Sequence, residues 1–208
     1  MSILSLCREL RRQPFEFLGT ESAFALEAFF SGYAYANSSI ESPLRRAATD
    51  FAGSDEMSAC TLAYLASTDP KSSFDRLLSA LEHELQLHGD GPDASVDVGS
   101  TAPLLDSIIE AIDSSRAAVY LVRSTIVCLF ETLNGYWCGL DPIDPVYAER
   151  LRSQIHGFEF WLRNRYKPAY APWYAILEVY EGVAEFGLQG FCRLFRQYRI
   201  EWPVGSPV

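Results

Sequence analysis

Two stretches of this chain align without gaps at a separation of 103 residues, and each places Gly-Tyr inside a helix-like apolar pattern. FLGTESAFALEAFFSGYAYA (17–36) aligns with YLVRSTIVCLFETLNGYWCG (120–139). Leu18/Leu121, Leu26/Leu129, Gly32/Gly135 and Tyr33/Tyr136 are identical, and Phe17/Tyr120, Ala23/Ile126 and Phe30/Leu133 are alike in kind. Apolar residues recur at i, i+3, i+7 and i+10 in both copies: Ala23, Leu26, Phe30, Tyr33 and Ile126, Leu129, Leu133, Tyr136. That is the period of a helix with one buried face. A glycine in a helix interior is about 1 kcal/mol less favourable than alanine. The same unfavourable choice in both copies predicts that Gly32 and Gly135 let another helix approach closely, with Tyr33 and Tyr136 packed beside them.

The match extends outward. An arginine-bearing segment precedes each copy, RELRRQ at 8–13 and Arg116 before AAVYL. Downstream, FDRLL (74–78) resembles FCRLF (191–195), with 14 more residues intervening in the second half. Between the two lies LHGDGPDASVDVGSTAP (87–103), rich in Gly, Asp, Ser and Pro, which reads as a linker or exposed loop. Other breaks are NSSIESP (37–43), AGSDE (52–56), GLDPIDP (139–145) and KPAYAP (167–172). Asp69-Pro70 is a helix start, with Asp69 as N-cap and Pro70 at the first helical position. Elsewhere the apolar spacing is helical: Phe74, Leu77, Leu78, Leu81 and Leu85; Leu104, Leu105, Ile108, Ile109 and Ile112; Leu151, Ile155, Phe158, Trp161 and Leu162. AVYLV (118–122) is the best strand candidate. The expectation is an all-α fold of about eight to ten helices. Two degenerate copies of one helical module are expected, 1–88 and 104–208, joined by a linker or exposed loop at 89–103, with the option that they pack as one domain.

Charge then narrows the function classes. The formal net charge is −10; residues 1–100 carry 7 Lys and Arg against 15 Asp and Glu, and residues 101–208 carry 10 against 12. Ten acids fall between 50 and 97, opposed by Lys71 and Arg76. Such a surface repels phosphate and anionic lipid, which argues against nucleic acid and membrane surfaces and for a basic protein partner. No window approaches 18 uncharged apolar residues, so no membrane span is expected. The short apolar run at the N-terminus precedes its charges, the reverse of a secretory signal, and the expected compartment is the cytoplasm. Five cysteines (Cys7, Cys60, Cys128, Cys138, Cys192) show no metal-ligand spacing and read as reduced core thiols.

The sequence carries few signals of catalytic or metal chemistry. His83 and His88 are five apart, off the i, i+4 spacing of helical metal ligands, and His156 reads as a helix-surface residue. HGDGPDAS lacks the lysine and preceding strand of a phosphate loop. Asp141 and Asp144 suit helix starts better than a calcium loop, whose twelfth position would be Arg152. No cofactor, metal or catalytic residue is assigned. Phe158, Phe160, Trp161, Tyr166, Tyr170, Trp173 and Tyr174 form a dense aromatic group with Arg163 and Arg165 interleaved. Core rings with arginines on the wet face is the preferred reading, with Tyr170 and Tyr174, flanking prolines, turned outward.

The second half also carries Tyr120-Leu121, Ser124, Gly135-Tyr136, Gly157-Phe158-Glu159-Phe160-Trp161, Arg165-Tyr166, Trp173 and the Phe191–Phe195 closing helix. This succession resembles a family of small bacterial proteins, some associated with toxin–immunity loci. The likeness covers roughly residues 116–198; the first half, with Phe17-Leu18-Gly19 and Gly32-Tyr33 but no tryptophan, resembles a degenerate copy. The resemblance brings no catalytic residue. Together with the acidic face and the lack of a catalytic constellation, it points to an acidic immunity protein that binds and occludes a cognate toxin with a basic surface. The candidate contact residues are Asp55, Glu56, Glu82, Glu84, Asp90, Asp93, Asp97, Tyr170 and Tyr174. The alternatives are a hydrolase-type enzyme using carboxylates in a helical cleft and a non-catalytic structural or regulatory adaptor.

Overall fold

A computed structural model of the chain describes residues 2–41, 43, 44, 46, 47, 69–88, 104–168, 170–182 and 184–202. The linker at 89–103 and the AGSDE turn lie outside the described residues. Eight α-helices have described bounds: α1 Ile3–Arg12, α2 Ala23–Ala36, α3 Pro70–His88, α4 Leu104–Asp113, α5 Ile126–Leu140, α6 Pro145–Tyr166, α7 Trp173–Tyr180 and α8 Ala184–Glu201. Residues 41, 43, 44, 46 and 47 are also helical. No strand occurs among the described residues, so the fold is all-α.

The starts of these helices are written in short polar signals. Ser2, Ser22, Thr125 and Asp144 each accept a hydrogen bond from the backbone N–H three residues on, which satisfies one of the orphan donors of a first turn. Asp69 does the same for Ser72 at 2.9 Å, with Pro70 opening the helix as expected. Ser22 and Thr125 are related by the 103-residue separation, and their bonds are 3.1 and 3.2 Å. Ser22→Ala and Thr125→Ala should each lower stability by about 1 kcal/mol. For a chain of this length that is a fall in Tm of roughly 2–4 °C. Unchanged thermal midpoints in both variants would show that these caps contribute nothing.

The order of elements repeats. In each half a helix leads into a 3-10 turn, Pro14–Glu16 in the first and Ala117–Val119 in the second, and then into the Gly-Tyr helix. The turn at 117–119 replaces the strand suggested by AVYLV. Of residues 118–122 only Leu121 is buried, and with no neighbouring strand a local turn satisfies the backbone. The closing helices also correspond: α3 packs on α1 and α2, as α8 packs on α4 and α5. Phe74 and Phe191, from the FDRLL and FCRLF pair, are both buried.

Two hydrophobic cores form among the described residues. Leu6, Leu10, Leu26, Phe29, Phe30, Leu77, Leu78 and Leu81 belong to the first, and Ile108, Leu129, Leu133, Ile155, Phe158, Leu177, Phe191 and Phe195 to the second. The helical faces read from sequence at 74–85, 104–112 and 151–162 are all buried. The cores meet along α2 and α5, the most extensive helix–helix contact among the described residues. Ala28 of α2 belongs to the second core, and Cys138 of α5 packs on the first.

This seam explains the paired glycines. A Cβ on Gly32 would lie 1.9 Å from the carbonyl oxygen of Thr132, and one on Gly135 would lie 1.8 Å from that of Phe29. Thr132 and Phe29 are themselves equivalent under the 103-residue shift, so the two close approaches are mates about a pseudo-twofold axis. Contacts advance in the same direction along both helices: the Gly135 position also meets Tyr33, and Gly139 faces Tyr33 and Ala36. The two helices therefore run parallel, backbone against backbone.

Candidate functional site

The sequence-predicted contact residues are not gathered in one place. Asp55, Glu56, Asp90, Asp93 and Asp97 lie outside the described residues. Glu82 and Glu84 sit on α3, in the first half; Tyr170 and Tyr174 lie in the second. Glu82 accepts from the Arg11 guanidinium at 2.9 Å, across the α1–α3 packing, and Asp75 stands 3.9 Å from the same group. Glu84 is not a surface acid. It is 6% exposed, and its carboxylate binds Arg46 at 2.8 Å with His88 at 3.6 Å. Its spacing carried the signal: it lies seven residues after Leu77 and beside Leu85, on the apolar stripe of its helix. These acids are matched with cations of their own module, which leaves less free charge on α3 than its composition suggests.

Tyr170 is 98% exposed, as expected, on a backbone of positive φ (38°). Left-handed backbone at a non-glycine residue is unfavourable, and here the side chain gains no burial in return. Tyr174 does not share its exposure. Pro172 caps α7, which begins at Trp173, and the helix turns the Tyr174 ring inward to 4.5 Å from that of Phe130. The rest of the aromatic group divides largely as expected. Phe158, Trp161 and Trp173 are core, Phe160 is exposed, and Arg163 and Arg165 lie on the wet face of α6. Tyr166 stacks on Tyr180 at 4.4 Å and donates to Glu181 at 2.9 Å.

The most unusual ionisable group was not singled out by the sequence. Glu131, in α5, is only 4% exposed. Its Oε1 accepts from the Gly19 N–H at 3.3 Å, a bond that crosses from one half to the other. Three residues on, Asn134 donates to the Phe17 carbonyl at 2.8 Å. Burial pushes the Glu131 carboxyl up to about 7, against the opposing pull of the Gly19 and Thr20 N–H groups and of Arg123. Burial, with the Glu131 charge second, also raises the Tyr174 phenol. The equivalent residue in the first half is Ala28, so the architecture does not need a carboxyl at this point.

Other nucleophiles are muted. Cys128, Cys138 and Cys192 are free thiols, and burial pushes Cys138 and Cys192 up to about 12, where they stay protonated and unreactive at neutral pH. Among the described residues, no cluster of three or more His, Cys, Asp or Glu side chains could hold a metal ion. No described helix is long and apolar enough to cross a membrane. Comparison with family models, with curated proteins and with solved structures finds no match to this chain.

Proposed function

We propose that this chain is a non-catalytic inhibitor, an immunity protein that binds a cognate protein toxin and occludes it. The observation that carries this reading is the uneven charge: net −10, with a surplus of eight acids over basic residues in residues 1–100. A field of that sign steers a basic partner into encounter, while buried contacts set how long the complex lasts. Tyr170 supports the reading: a fully exposed tyrosine on unfavourable backbone is the residue type that anchors interfaces. The reading places the protein in the cytoplasm, where an immunity protein protects its own cell.

The test is co-purification of the full chain with the product of the neighbouring gene, at low salt and again at high salt. The expected result is a stable complex whose association rate falls steeply with ionic strength. If the neighbour encodes no toxin and no basic protein is retained at low salt, the proposal fails.

A second reading has one observation in its favour. Glu131 is buried at 4% exposure, and a carboxyl that burial pushes up to about 7 is suited to general acid–base work, as a hydrolase would need. Glu131→Gln separates the two, because an occluding inhibitor keeps its partner and an enzyme loses its turnover.

A further inference from the structure

The segment between Phe17 and Ser22 is fixed at both ends and rests on its middle. Asn134 holds the Phe17 carbonyl at 2.8 Å, and Ser22 caps α2 through the Ala25 N–H at 3.1 Å. Between them Gly19 lies directly over α5 and α7. A Cβ there would stand 2.7 Å from Val127, 3.5 Å from the Glu131 carboxyl and 3.6 Å from the Tyr174 ring. Glu21, beside it, is committed elsewhere, to Lys71 at 2.5 Å. The segment thus covers a carboxyl that accepts the Gly19 N–H at a long 3.3 Å.

We propose that residues 19–21 form a pH-gated cover over Glu131, hinged on the buried Leu18, seated while the carboxyl is neutral and lifted when it is charged. The groups that act on Glu131 can be named element by element. The loop before α5 brings Arg123, and the cover itself brings the Gly19 and Thr20 N–H groups; all three favour the charged form. From α7 comes Tyr174, with Glu178 acting on the same phenol. One turn back on α5 is Cys128, whose thiol feels the Glu131 charge. From α2 the equivalent position offers only Ala28. A buried carboxylate regains its lost hydration most cheaply by admitting water. The only described backbone bonded to it is the cover, and lifting residues 19–21, none of them buried, disrupts less than separating α2 from α5.

The test uses the full chain labelled with 15N, titrated from pH 5.5 to 8.5. The Gly19 amide resonance should move with a single midpoint near 7. Protection of the Gly19 and Thr20 amides against hydrogen exchange, corrected for intrinsic base catalysis, should fall at least tenfold across that range. In Glu131→Gln both changes should vanish. The proposal is overturned if the wild-type Gly19 resonance stays still, if protection does not fall, or if the glutamine variant shows the same fall. Should that variant fail to fold, the wild-type titration and its exchange profile decide alone.

Discussion

Gly32→Ala and Gly135→Ala should each destabilise the protein by about 3 kcal/mol or more, against a gain of about 1 kcal/mol from better helix propensity. The added methyl would sit 1.9 Å from the Thr132 carbonyl oxygen in the first case and 1.8 Å from that of Phe29 in the second. Both obstacles are backbone, and helical backbone cannot rotate aside as a side chain can. The helices would have to part by more than 1 Å along the contact that joins the two cores, loosening packing on both sides of the seam. In a chain of this size the expected fall in Tm is roughly 6–12 °C. Gly139→Ala should cost less, because its nearest obstacle is 2.7 Å away and the next, the Ala36 methyl, is at 3.0 Å. The half-buried neighbour Ser31, changed to Ala, should stay within about 0.5 kcal/mol. Gly32 and Gly135 share one interface, so their double variant should depart from additivity. Urea unfolding of the set gives the ranking. Equal stability of Gly32→Ala and wild type would remove the close-approach account.

Much of this architecture was legible because it follows from local rules. Apolar period exposed the buried faces of α3, α4 and α6, and Asp69-Pro70 marked a helix start through its own hydrogen bonding. The glycines were legible for a different reason: they violate helix propensity in two matched places, and such a violation needs an external cause. That the cause is each other was not legible. Periodicity says which face is buried and never against what, so neither the parallel course of α2 and α5 nor their pseudo-twofold pairing could be read. Tyr174 was misplaced because Pro172 suggested a loop, whereas it caps a helix that carries the ring inward. Glu131 was missed because a glutamate in an amphipathic helix reads as part of its wet face. Its neighbours held the clue: Cys128, Gly135 and Gly139 form a stripe of small residues at i, i+7 and i+11, and Glu131 lies on it at i+3. A stripe that narrow is where two backbones meet, and a carboxyl placed there is buried.

The asymmetry at that position gives the second large prediction. The two halves keep a hydroxyl cap (Ser22 and Thr125), a glycine and a tyrosine at equivalent positions, yet one carries Ala28 where the other carries Glu131. Glu131→Gln should be more stable than wild type at pH 8 and no more stable near pH 4.5. The sign follows from proton binding. The folded carboxyl titrates near 7 and the unfolded one near 4.5, so between those values the folded state holds more protons than the unfolded state. Stability therefore falls as pH rises through that window, and the loss is complete above about pH 7. Its size is on the order of 3 kcal/mol. Part of it returns if the cover over Glu131 lifts and lets the carboxylate hydrate, so the measured difference should be smaller than that figure. Glutamine keeps an oxygen for the Gly19 N–H and carries no charge at any pH. All other titrating groups are common to both proteins, so the difference between their stability–pH curves isolates this one carboxyl. Urea midpoints at half-unit steps from pH 4.5 to 8.5 supply that difference. A difference that stays flat across the range would mean that Glu131 is already hydrated in the folded protein, and that the seam tolerates its charge.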